Sequence, residues 1–442
     1  MASSVPINRT RPPAAPPPAI LLAFPHHGNG VTQSCLIPRD GVMLGRGALV
    51  FDDPLDDPAM SPRHAEIRLR GTGAVVHDLG SSAGVRLNGV ALRESHRLAE
   101  GDVIRLGDTM LVYTSTERAP PVDARPTIEP ALTGATPSIE AVRRSVEAVA
   151  PHPRTVVVTG ETGTGKEIVA RLLHERSGRG GPFVAVNCGG FTEGLLASEL
   201  FGHVRGAFTG AVTEQQGLFR ATRGGTLLLD EVGEIPLALQ PTLLRVLETW
   251  QVRPVGSPRD VPIDVRVIAA GNRELSTLVQ RGLFRADLYA RLAQWVIRLP
   301  PLRDRREDIP ALVSALLVQL GAAGRSLTPD LEEALLVHPW PLNVRGLSNV
   351  LSTALIATPA DQPLGLAPEV RAALHDNLLD RPVPPPEAPP PLIELDRARL
   401  EELLRRFGGR VAEVARNVGV SRPKLYRLLW AAELDPAQFR SE

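Results

Sequence analysis

The stretch Thr155–Glu167, TVVVTGETGTGKE, decides the fold of the central part of the chain. A run of β-branched residues ends in a glycine-rich turn, and an amphipathic run follows at once, which predicts a strand, a loop and a helix. Such a loop turns its backbone N–H groups inward around a polyphosphate, and the N-terminus of the following helix adds a favourable dipole. The predicted phosphate-binding residues are Gly160, Glu161, Thr162, Gly163, Thr164, Gly165, Lys166 and Glu167.

Lys166 is the residue of this loop that we expect to reach the outer phosphates. Only two of the 49 basic residues are lysines, and Lys166 is one of them. An arginine-rich chain has thus kept a compact ammonium group at a position where a planar guanidinium would not fit. Phosphate loops usually place Ser or Thr after the lysine as a magnesium ligand, and this chain has Glu167. We therefore expect other residues to hold the metal.

Apolar runs alternate with helical patterns on both sides of this loop, as in FVAVN (183–187), TLLLD (226–230), VRVIAA (265–270) and WVIRL (295–299). Continuous apolar strands separated by helices predict a parallel sheet covered on both faces. Polar side chains stand at the carboxyl ends of these strands, where α/β proteins bind ligands.

Four of these strand-end residues are candidates for chemistry. Asp230 is the candidate partner of Mg²⁺ and its waters, and Glu231 is the candidate base that orients an attacking water. Asn187 could hydrogen-bond Glu231, and Asn272 could sense the γ-phosphate. An acidic pair at a strand end is usually only solvated, but its position after a phosphate loop favours catalysis.

Composition narrows the class of protein. The chain has 442 residues, 43% hydrophobic content and a formal net charge of zero, so no overall field draws it to nucleic acid or membrane. The two cysteines, Cys35 and Cys188, are too few for a disulfide framework and fit a reducing cytoplasm. Since no apolar run approaches the roughly 20 residues that span a bilayer, we expect no membrane partner.

Short strands separated by turn signals fill residues 20–116, which predicts an all-β sandwich. Asn88-Gly89 is most simply a hairpin turn. With Gly45-Arg46, Ser61-Pro62-Arg63-His64 and Asp78-Leu79-Gly80-Ser81-Ser82, the segment resembles the forkhead-associated (FHA) domain, a phosphothreonine-recognition module.

By this resemblance, Arg46 and Ser61 hold the phosphate, Ser82 assists, and His64 braces the loop from inside. Arginine and hydroxyl donors are the groups that such recognition requires. Pro62 and Ala83 depart from the family pattern, which affects the expected affinity and peptide preference. A sandwich that serves only as a scaffold is the alternative.

The most specific motif is Gly206-Ala207-Phe208-Thr209-Gly210-Ala211, which has one aromatic residue among small ones and no charge. Its glycines disfavour both helix and strand, so it reads as a mobile loop that presents Phe208 and Thr209 to a partner. With this motif, residues 130–370 resemble the AAA+ domain of bacterial enhancer-binding proteins, the activators of sigma-54 RNA polymerase. In that family the loop touches sigma-54, and the resemblance implies ATP and Mg²⁺ as cofactors.

The resemblance also implies a ring. Arg285 and Arg291 match the positions of the family's arginine fingers, which reach into the neighbouring subunit's nucleotide site. Shared sites of this kind imply a homo-oligomer, from dimer to hexamer. PLRDRREDIP (301–310) resembles the start of the helical lid, and Arg345 matches a nucleotide-touching arginine of the lid. Leu342 and Gly346 depart from the usual residues beside it.

The sequence of the C-terminal segment, residues 392–442, predicts helices with a turn at Gly419 and a cap at Ser421, which indicates a helix-turn-helix. Seven basic residues and one acid, Glu413, lie between Arg405 and Arg427. The segment resembles the Fis-type domain of these activators, and a dimerisation unit is the alternative. The residues expected to face DNA are Ser421, Arg422, Lys424, Tyr426 and Arg427.

The chain is thus interpreted as a multidomain protein with an all-β FHA sandwich, an α/β P-loop AAA+ domain with a helical lid, and an all-α helix-turn-helix. The predicted boundaries are 1–19 (disordered, proline-rich tail), 20–116 (FHA), 117–129 (linker), 130–370 (AAA+, with its lid from about 301), 371–391 (proline-rich linker) and 392–442 (Fis-type domain).

The resulting hypothesis is a cytoplasmic sigma-54-dependent activator. It would bind upstream enhancer DNA, hydrolyse ATP to remodel sigma-54 RNA polymerase, and recognise a phosphothreonine protein, a Ser/Thr kinase or its substrate. Two alternatives stay open: a phosphopeptide-binding adaptor with a vestigial ATPase, and a non-activating AAA+ DNA-binding regulator. The intact GAFTGA motif argues against the second.

Overall fold

A computed structural model describes residues 18–24, 33–51, 53–70, 73–115, 132–208, 210–375 and 397–407, with Val414, Leu434 and Phe439. The chain divides into two compact units, Met1–Asp376 and Asn377–Glu442. The first unit contains a front β-domain, a nucleotide-binding domain and a helical lid.

The front domain is a sandwich of two antiparallel sheets. Within the described residues, one sheet has six strands in the order β2-β1-β10-β9-β6-β7 and the other has four in the order β3-β4-β5-β8. The strands are β1 (Ala19–Phe24), β2 (Gln33–Leu36), β3 (Val42–Leu44), β4 (Ala65–Arg70), β5 (Gly73–Asp78), β6 (Val85–Leu87), β7 (Val90–Ala91), β8 (His96–Arg97), β9 (Val103–Leu106) and β10 (Thr109–Thr114).

The sandwich confirms the all-β prediction for this segment. Its core is filled from both sheets by side chains such as Leu44, Ile67, Val76 and Ile104. Asn88 and Gly89 join β6 to β7 with φ values of 49° and 81°. A two-residue hairpin whose central residues both have positive φ is a type I′ turn, which favours Asn-Gly. The predicted hairpin turn is therefore confirmed.

A parallel sheet forms the centre of the nucleotide-binding domain. Its five strands in the described part of the chain follow the order β12-β13-β16-β11-β17. A separate antiparallel hairpin joins β14 to β15. The strands are β11 (Val156–Thr159), β12 (Phe183–Asn187), β13 (Thr226–Asp230), β14 (Gln251–Val252), β15 (Val261–Pro262), β16 (Arg266–Gly271) and β17 (Trp295–Arg298).

Helices cover both faces of the sheet, as the continuous apolar strands predict. Along β11, Val156 and Val158 pack into one apolar cluster and Val157 packs into the other. The helices of this domain are α1 (Pro137–Val149), α2 (Lys166–Glu175), α3 (Glu193–Phe201), α4 (Leu218–Ala221), α5 (Gln240–Thr249), α6 (Leu275–Gln280) and α7 (Ala286–Leu292).

Arg266 begins β16 and joins the sheet to two helices. Its buried guanidinium donates to the carbonyls of Val149 and Ala150 at the end of α1, and to that of Leu173 near the end of α2. A cation is favourable at these positions, because the last carbonyls of a helix carry partial negative charge. Arg266 thus fixes both helices on the same side of the sheet.

The lid follows the last strand and consists of short 3₁₀ turns, at Leu302–Asp304 and Arg306–Asp308, and a helical bundle. Its helices are α8 (Ile309–Gln319), α9 (Pro329–Val337), α10 (Asn343–Ala357) and α11 (Pro368–His375). Asp308 ties the lid to the beginning of the nucleotide-binding domain, since its carboxylate accepts from the N–H groups of Ala135 and Thr136 and from the Thr136 hydroxyl.

In the second unit, the structure describes the helix α12 (Arg397–Arg406) and few residues after it. The predicted DNA-facing residues 421–427, and the predicted turn at Gly419, lie outside the described residues. Among the residues described, no helix is both long and apolar enough to cross a bilayer.

Candidate functional site

The phosphate loop lies between β11 and α2, as its sequence predicts. Gly163 and Gly165 have φ values of 78° and 105°, a region that other residues rarely adopt. A Cβ on Gly163 would lie 2.1 Å from the backbone oxygen of Leu342 in the lid. Gly163 is therefore required both by its own conformation and by the close approach of the lid.

Lys166 is buried at the start of α2. Its Nζ donates to the backbone oxygens of Gly160 at 3.0 Å and Glu161 at 3.3 Å. Burial lowers the pKa of Lys166, and the carboxylates of Glu231 and Asp230 act in the opposite direction. The ammonium group thus lies at the mouth of the loop and within the field of both strand-end acids.

Asp230 ends β13, and Glu231 follows it in the left-handed conformation with φ of 50°. The Asp230 Oδ1 accepts from the backbone N–H of Glu231 at 3.0 Å, which fixes this turn. Strain of this kind in a non-glycine residue costs about 1 kcal/mol or more and is common at active sites. The turn places the carboxylates of Asp230 and Glu231 at one end of the sheet, where both act on Lys166.

Two asparagines flank these acids on neighbouring strands. The backbone N–H of Asn272 donates to Oε2 of Glu231 at 3.3 Å. Asn187 lies beside Asp230 in the β12–β13 register, and its amide oxygen accepts from the N–H of Gly189 at 2.9 Å. The structure therefore brings Asn272 to Glu231 through its backbone. Asn187, whose side chain we expected to hydrogen-bond Glu231, engages its amide oxygen with the turn after its own strand.

Glu167 lies on the exposed side of α2, where its carboxylate pairs with Arg171 at 2.8 Å. Thr164 turns its hydroxyl toward the Glu161 carbonyl at 2.8 Å. Cys188 is buried close to the acids, and burial raises its pKa to about 12, with Asp230 and Glu231 adding to the effect. Its thiol thus remains protonated and unreactive at neutral pH.

The lid reaches the phosphate loop directly. The Val344 N–H donates to the Gly163 carbonyl at 3.1 Å, and the Asn343 amide donates to the Thr162 carbonyl at 3.0 Å. Arg345 lies one residue further along α10, close enough to oppose protonation of Lys166. The predicted lid arginine therefore lies near the phosphate-loop lysine.

The two candidate fingers lie at opposite ends of α7. Arg285 precedes the helix, is exposed, and pairs with Asp287 at 2.8 Å. Arg291 lies in its last turn, and its Nε and Nη2 donate to the Leu247 carbonyl at 2.9 and 2.7 Å. A single protomer thus holds Arg291 on its own α5, while Arg285 stands at the surface.

The loop 206–211 lies between α3 and α4. Gly206 donates to the Ala211 carbonyl at 2.8 Å, which closes the base of the loop. Phe208 is 45% exposed and packs edge-on against His203, with ring centroids 4.9 Å apart. Thr209, the other residue expected to meet the partner, lies outside the described residues.

His203 and the β14–β15 connection support this loop. The His203 Nδ1 is 2.7 Å from the Ser198 hydroxyl, and its Nε2 is 3.0 Å from the Thr213 carbonyl. A Cβ on Gly256 would lie 2.9 Å from that of Ala207. Neither residue was predicted from the sequence, although His203 stands only three residues before the motif.

The phosphate-binding candidates of the front domain converge on one end of the sandwich. The hydroxyls of Ser61 and Ser82 are 3.1 Å apart, and the Arg46 N–H donates to the Ser61 carbonyl at 3.0 Å. Fully buried His64 accepts from the Ser61 N–H at Nδ1, so its Nε2 donates to the Gly84 carbonyl. His64 thus links the two loops that carry Ser61 and Ser82, as expected.

Comparison with known proteins agrees with this arrangement. Family models match residues 132–298 (sigma-54 interaction domain), 42–107 (FHA domain), 303–373 (AAA+ ATPase lid domain) and 392–429 (bacterial regulatory protein, Fis family). These matches cover the three predicted kinds of domain, and the Fis-family match extends into residues 408–429, most of which lie outside the described residues.

Curated relatives align with about two thirds of the chain. Transcriptional regulatory protein ZraR of Klebsiella oxytoca is 39% identical over 69% of this chain and 70% of its own length. Transcriptional regulatory protein GlrR of Escherichia coli is 42% identical, and the chain spans 66% of its length, just under two thirds.

A solved structure gives the same picture. NtrX from Brucella abortus, in complex with ADP, superposes with a TM-score of 0.51 and 33% identity, over 69% of this chain and 70% of that one. With these matches and the geometry of the loop, the acids and the lid, the chain belongs to the sigma-54-dependent transcriptional regulators, with an FHA domain in front and a Fis-type domain behind.

Proposed function

We propose that this protein is a DNA-bound ATPase that remodels the closed complex of sigma-54 RNA polymerase into the open complex. The observation that carries this proposal is the combination of Lys166, Asp230 and Glu231 at one sheet edge with a partly exposed Phe208 in the loop of the same domain. ATP cleavage at the first site would drive movement of the second.

The residues have separate roles in hydrolysis. Lys166 and the backbone of residues 160–167 bind the outer phosphates, Arg345 contacts nucleotide from the lid, and Glu231 orients the attacking water. Asn187 would act on Glu231 through its amide NH2 group, since its amide oxygen accepts from Gly189, and Asn272 would sense the γ-phosphate. In a ring, Arg285 and Arg291 of one subunit stabilise negative charge in the site of the next.

Asp230 fits a role toward Mg²⁺ through bound waters. The described residues contain no group of three or more His, Cys, Asp or Glu side chains that could cage a metal. Mg²⁺ commonly keeps several waters and uses one or two carboxylates together with substrate phosphates. Magnesium, when bound, would neutralise charge on the phosphates. The protein would contribute the Asp230 carboxylate, which lies at the carboxyl end of β13 beside the phosphate loop.

The front domain would supply regulation. Arg46, Ser61 and Ser82 gather cationic and hydroxyl donors at one end of the sandwich, which suits a phosphothreonine on a Ser/Thr kinase or its substrate. Ser421, Arg422, Lys424, Tyr426 and Arg427 would bind upstream enhancer DNA, and the protein would act in the cytoplasm as a dimer that assembles to a hexamer.

Open-complex formation with purified sigma-54 RNA polymerase tests the proposal. We expect promoter opening that requires this protein, Mg²⁺ and hydrolysable ATP together, and none with a non-hydrolysable analogue. ATP turnover without promoter opening would instead support a regulator that hydrolyses ATP but does not act on sigma-54. Absence of turnover at every protein concentration would exclude both.

A further inference from the structure

The front domain packs against the ATPase lid through the outer face of its six-stranded sheet. Strand β10 shows this most clearly, because all six of its residues are buried. Leu111 and Tyr113 point into the sandwich core, whereas Met110 and Val112 belong to the apolar cluster of the lid. A strand of a two-sheet sandwich normally alternates between an apolar and a solvated face. Here both faces are apolar.

The lid supplies the other half of this cluster. Leucines and valines of α8 and α9 pack with Val103 and Ala23 of the front domain, and the lid side chains include Leu312, Val313, Leu316, Leu331 and Leu335. Apolar area removed from water on both partners favours their association.

Ion pairs also join the two surfaces. The buried carboxylate of Glu333, on α9, accepts from Arg86 at 2.9 Å and from Arg105 at 3.0 Å, and both arginines belong to the front domain. Arg105 also donates to Asp330 at 2.7 Å. A buried carboxylate requires such partners, because unpaired burial is costly. The charges therefore match this pair of surfaces specifically.

A third contact lies at the start of the lid. The Nη1 of Arg306 donates to the Gly101 carbonyl, in the turn before β9, at 3.0 Å. Two elements of the lid, the 3₁₀ turn at Arg306–Asp308 and α9, thus contact the same sheet. Two separate contacts fix the orientation of the sheet relative to the lid as well as its position.

The lid helix that contacts the front domain, α9, is followed by a short segment that reaches the phosphate loop. Six and seven residues after α9 ends, Asn343 and Val344 donate to the phosphate-loop carbonyls of Thr162 and Gly163. Between them and the helix, buried Trp340 donates its indole N–H to the Leu335 carbonyl of α9. The segment is therefore short, anchored by buried Trp340 and Asn343, and hydrogen-bonded at both ends.

We propose that the outer face of the front domain's six-stranded sheet is a permanent docking surface for the lid, and that through it the front domain sets the position of the lid over the nucleotide. The phosphopeptide candidates lie elsewhere, in loops that follow β3 and β5 of the four-stranded sheet. A peptide could thus bind without displacing the lid. The docking does not depend on whether a phosphopeptide binds.

Hydrogen exchange of the full-length protein tests the docking. Arg86→Glu/Arg105→Glu replaces attraction to Glu333 and Asp330 by repulsion, and we expect exchange in α9 to rise at least tenfold. The milder Arg105→Gln should give a smaller rise, about threefold, and covers the case in which the double variant fails to fold. Arg68→Glu is the control, because Arg68 is exposed on the other sheet.

Adding Asp330→Arg and Glu333→Arg to the repulsive double variant makes each of these pairs attractive again and should restore much of the protection of α9. The apparent KM for ATP should change at least threefold in the repulsive variant and stay unchanged in Arg68→Glu. Unchanged exchange in α9 would show that the two surfaces do not dock in solution. Faster exchange with an unchanged KM would show docking without influence on nucleotide and would overturn the second half of the proposal.

Phosphopeptide binding separates this proposal from the function proposed above. If the wild-type protein binds no phosphothreonine peptide but α9 responds as described, only the sensing role of the front domain falls. If peptide binds and α9 does not respond, only the docking proposal falls.

Discussion

Arg303 of the lid and Glu161 of the phosphate loop form a two-pronged ion pair, with Nη2–Oε1 and Nη1–Oε2 distances of 2.6 and 2.7 Å. The Asn343 amide donates to the same carboxylate at 3.3 Å. Arg303 holds the pKa of Glu161 below its usual range, an effect that burial opposes. A single charged pair thus connects the loop that surrounds the phosphates to the domain that closes over them.

Arg303→Ala should weaken nucleotide binding modestly. Both side chains are partly exposed, and exposed ion pairs contribute up to about 1 kcal/mol, which corresponds to roughly a fivefold rise in Kd. Titration with a fluorescent ADP analogue measures this. Arg298→Ala, at another exposed ion pair, is the control. An unchanged Kd in Arg303→Ala would show that the pair does not help to hold the loop.

Glu231→Gln should retain ATP binding and lose turnover by about 10²-fold or more, because the amide cannot accept a proton from the attacking water. Steady-state hydrolysis and nucleotide retention by the assembled protein measure the two effects. Glu234→Gln is the control, since that carboxylate pairs with Arg273. Turnover near the wild-type rate in Glu231→Gln would assign the base to another residue.

Phe208→Ala should leave ATP hydrolysis within about twofold of the wild-type rate and abolish promoter opening, since the ring packs on His203 and makes no contribution to the phosphate site. Thr209→Ala should behave alike. Val212→Ala, at a position 73% exposed just after the motif, is the matched control. Normal promoter opening by both motif variants would remove the loop from the mechanism.

Arg46→Ala should abolish binding of phosphothreonine peptides, since a charge-assisted contact to phosphate is lost. Binding to an array of such peptides, with unphosphorylated versions beside them, measures this. Arg70→Ala is the control, as it lies at the far end of β4 from Ser61 and His64. Equal binding by Arg46→Ala and the wild type would place the peptide elsewhere.

Glu332→Gln should stabilise the protein more at pH 8.5 than at pH 5. Burial, and Asp108 from the front domain, raise the pKa of Glu332 from 4.5 to about 8, and Arg105 opposes this. Between these pH values the folded protein binds a proton that the unfolded chain has released, so stability falls as pH rises through this window. Glutamine does not titrate, so the variant does not lose stability in this way as the pH rises.

Thermal unfolding of both proteins at several pH values tests this prediction. The difference in midpoint, variant minus wild type, should grow from pH 4.5 to pH 8 and then level off. A constant difference would mean that Glu332 titrates normally in the folded protein.

The parallel sheet could be predicted from the sequence because its buried strands are continuous apolar runs. Phe183–Asn187 and Thr226–Asp230 have the predicted bounds. The two-residue strands β7 and β8 escaped prediction, since such short segments carry no periodic pattern. The grouping of Lys166 with Asp230 and Glu231 followed from a general rule, that the carboxyl ends of parallel strands share one edge.

Contacts between distant parts of the chain could not be predicted in this way. Glu161 and Arg303 each look like surface charges, and only the folded lid brings them together. The conformation of Asn343 could not be predicted either, because its positive φ of 51° and its amide hydrogen bonds depend on contact with the phosphate loop. For the contact between the front domain and the lid, the sequence did contain an indication: β10 is apolar on both faces, so its outer face needs a covering element.

That doubly apolar strand has a practical consequence. If the front domain were moved by genetic fusion onto another protein, Met110 and Val112 would face water and invite self-association. The module is therefore not portable as it stands. Grafting it would require polar replacements of Met110 and Val112. An ATPase expressed without its front domain would likewise expose the lid leucines that pack against these residues, such as Leu331 and Leu335, and would need polar replacements there.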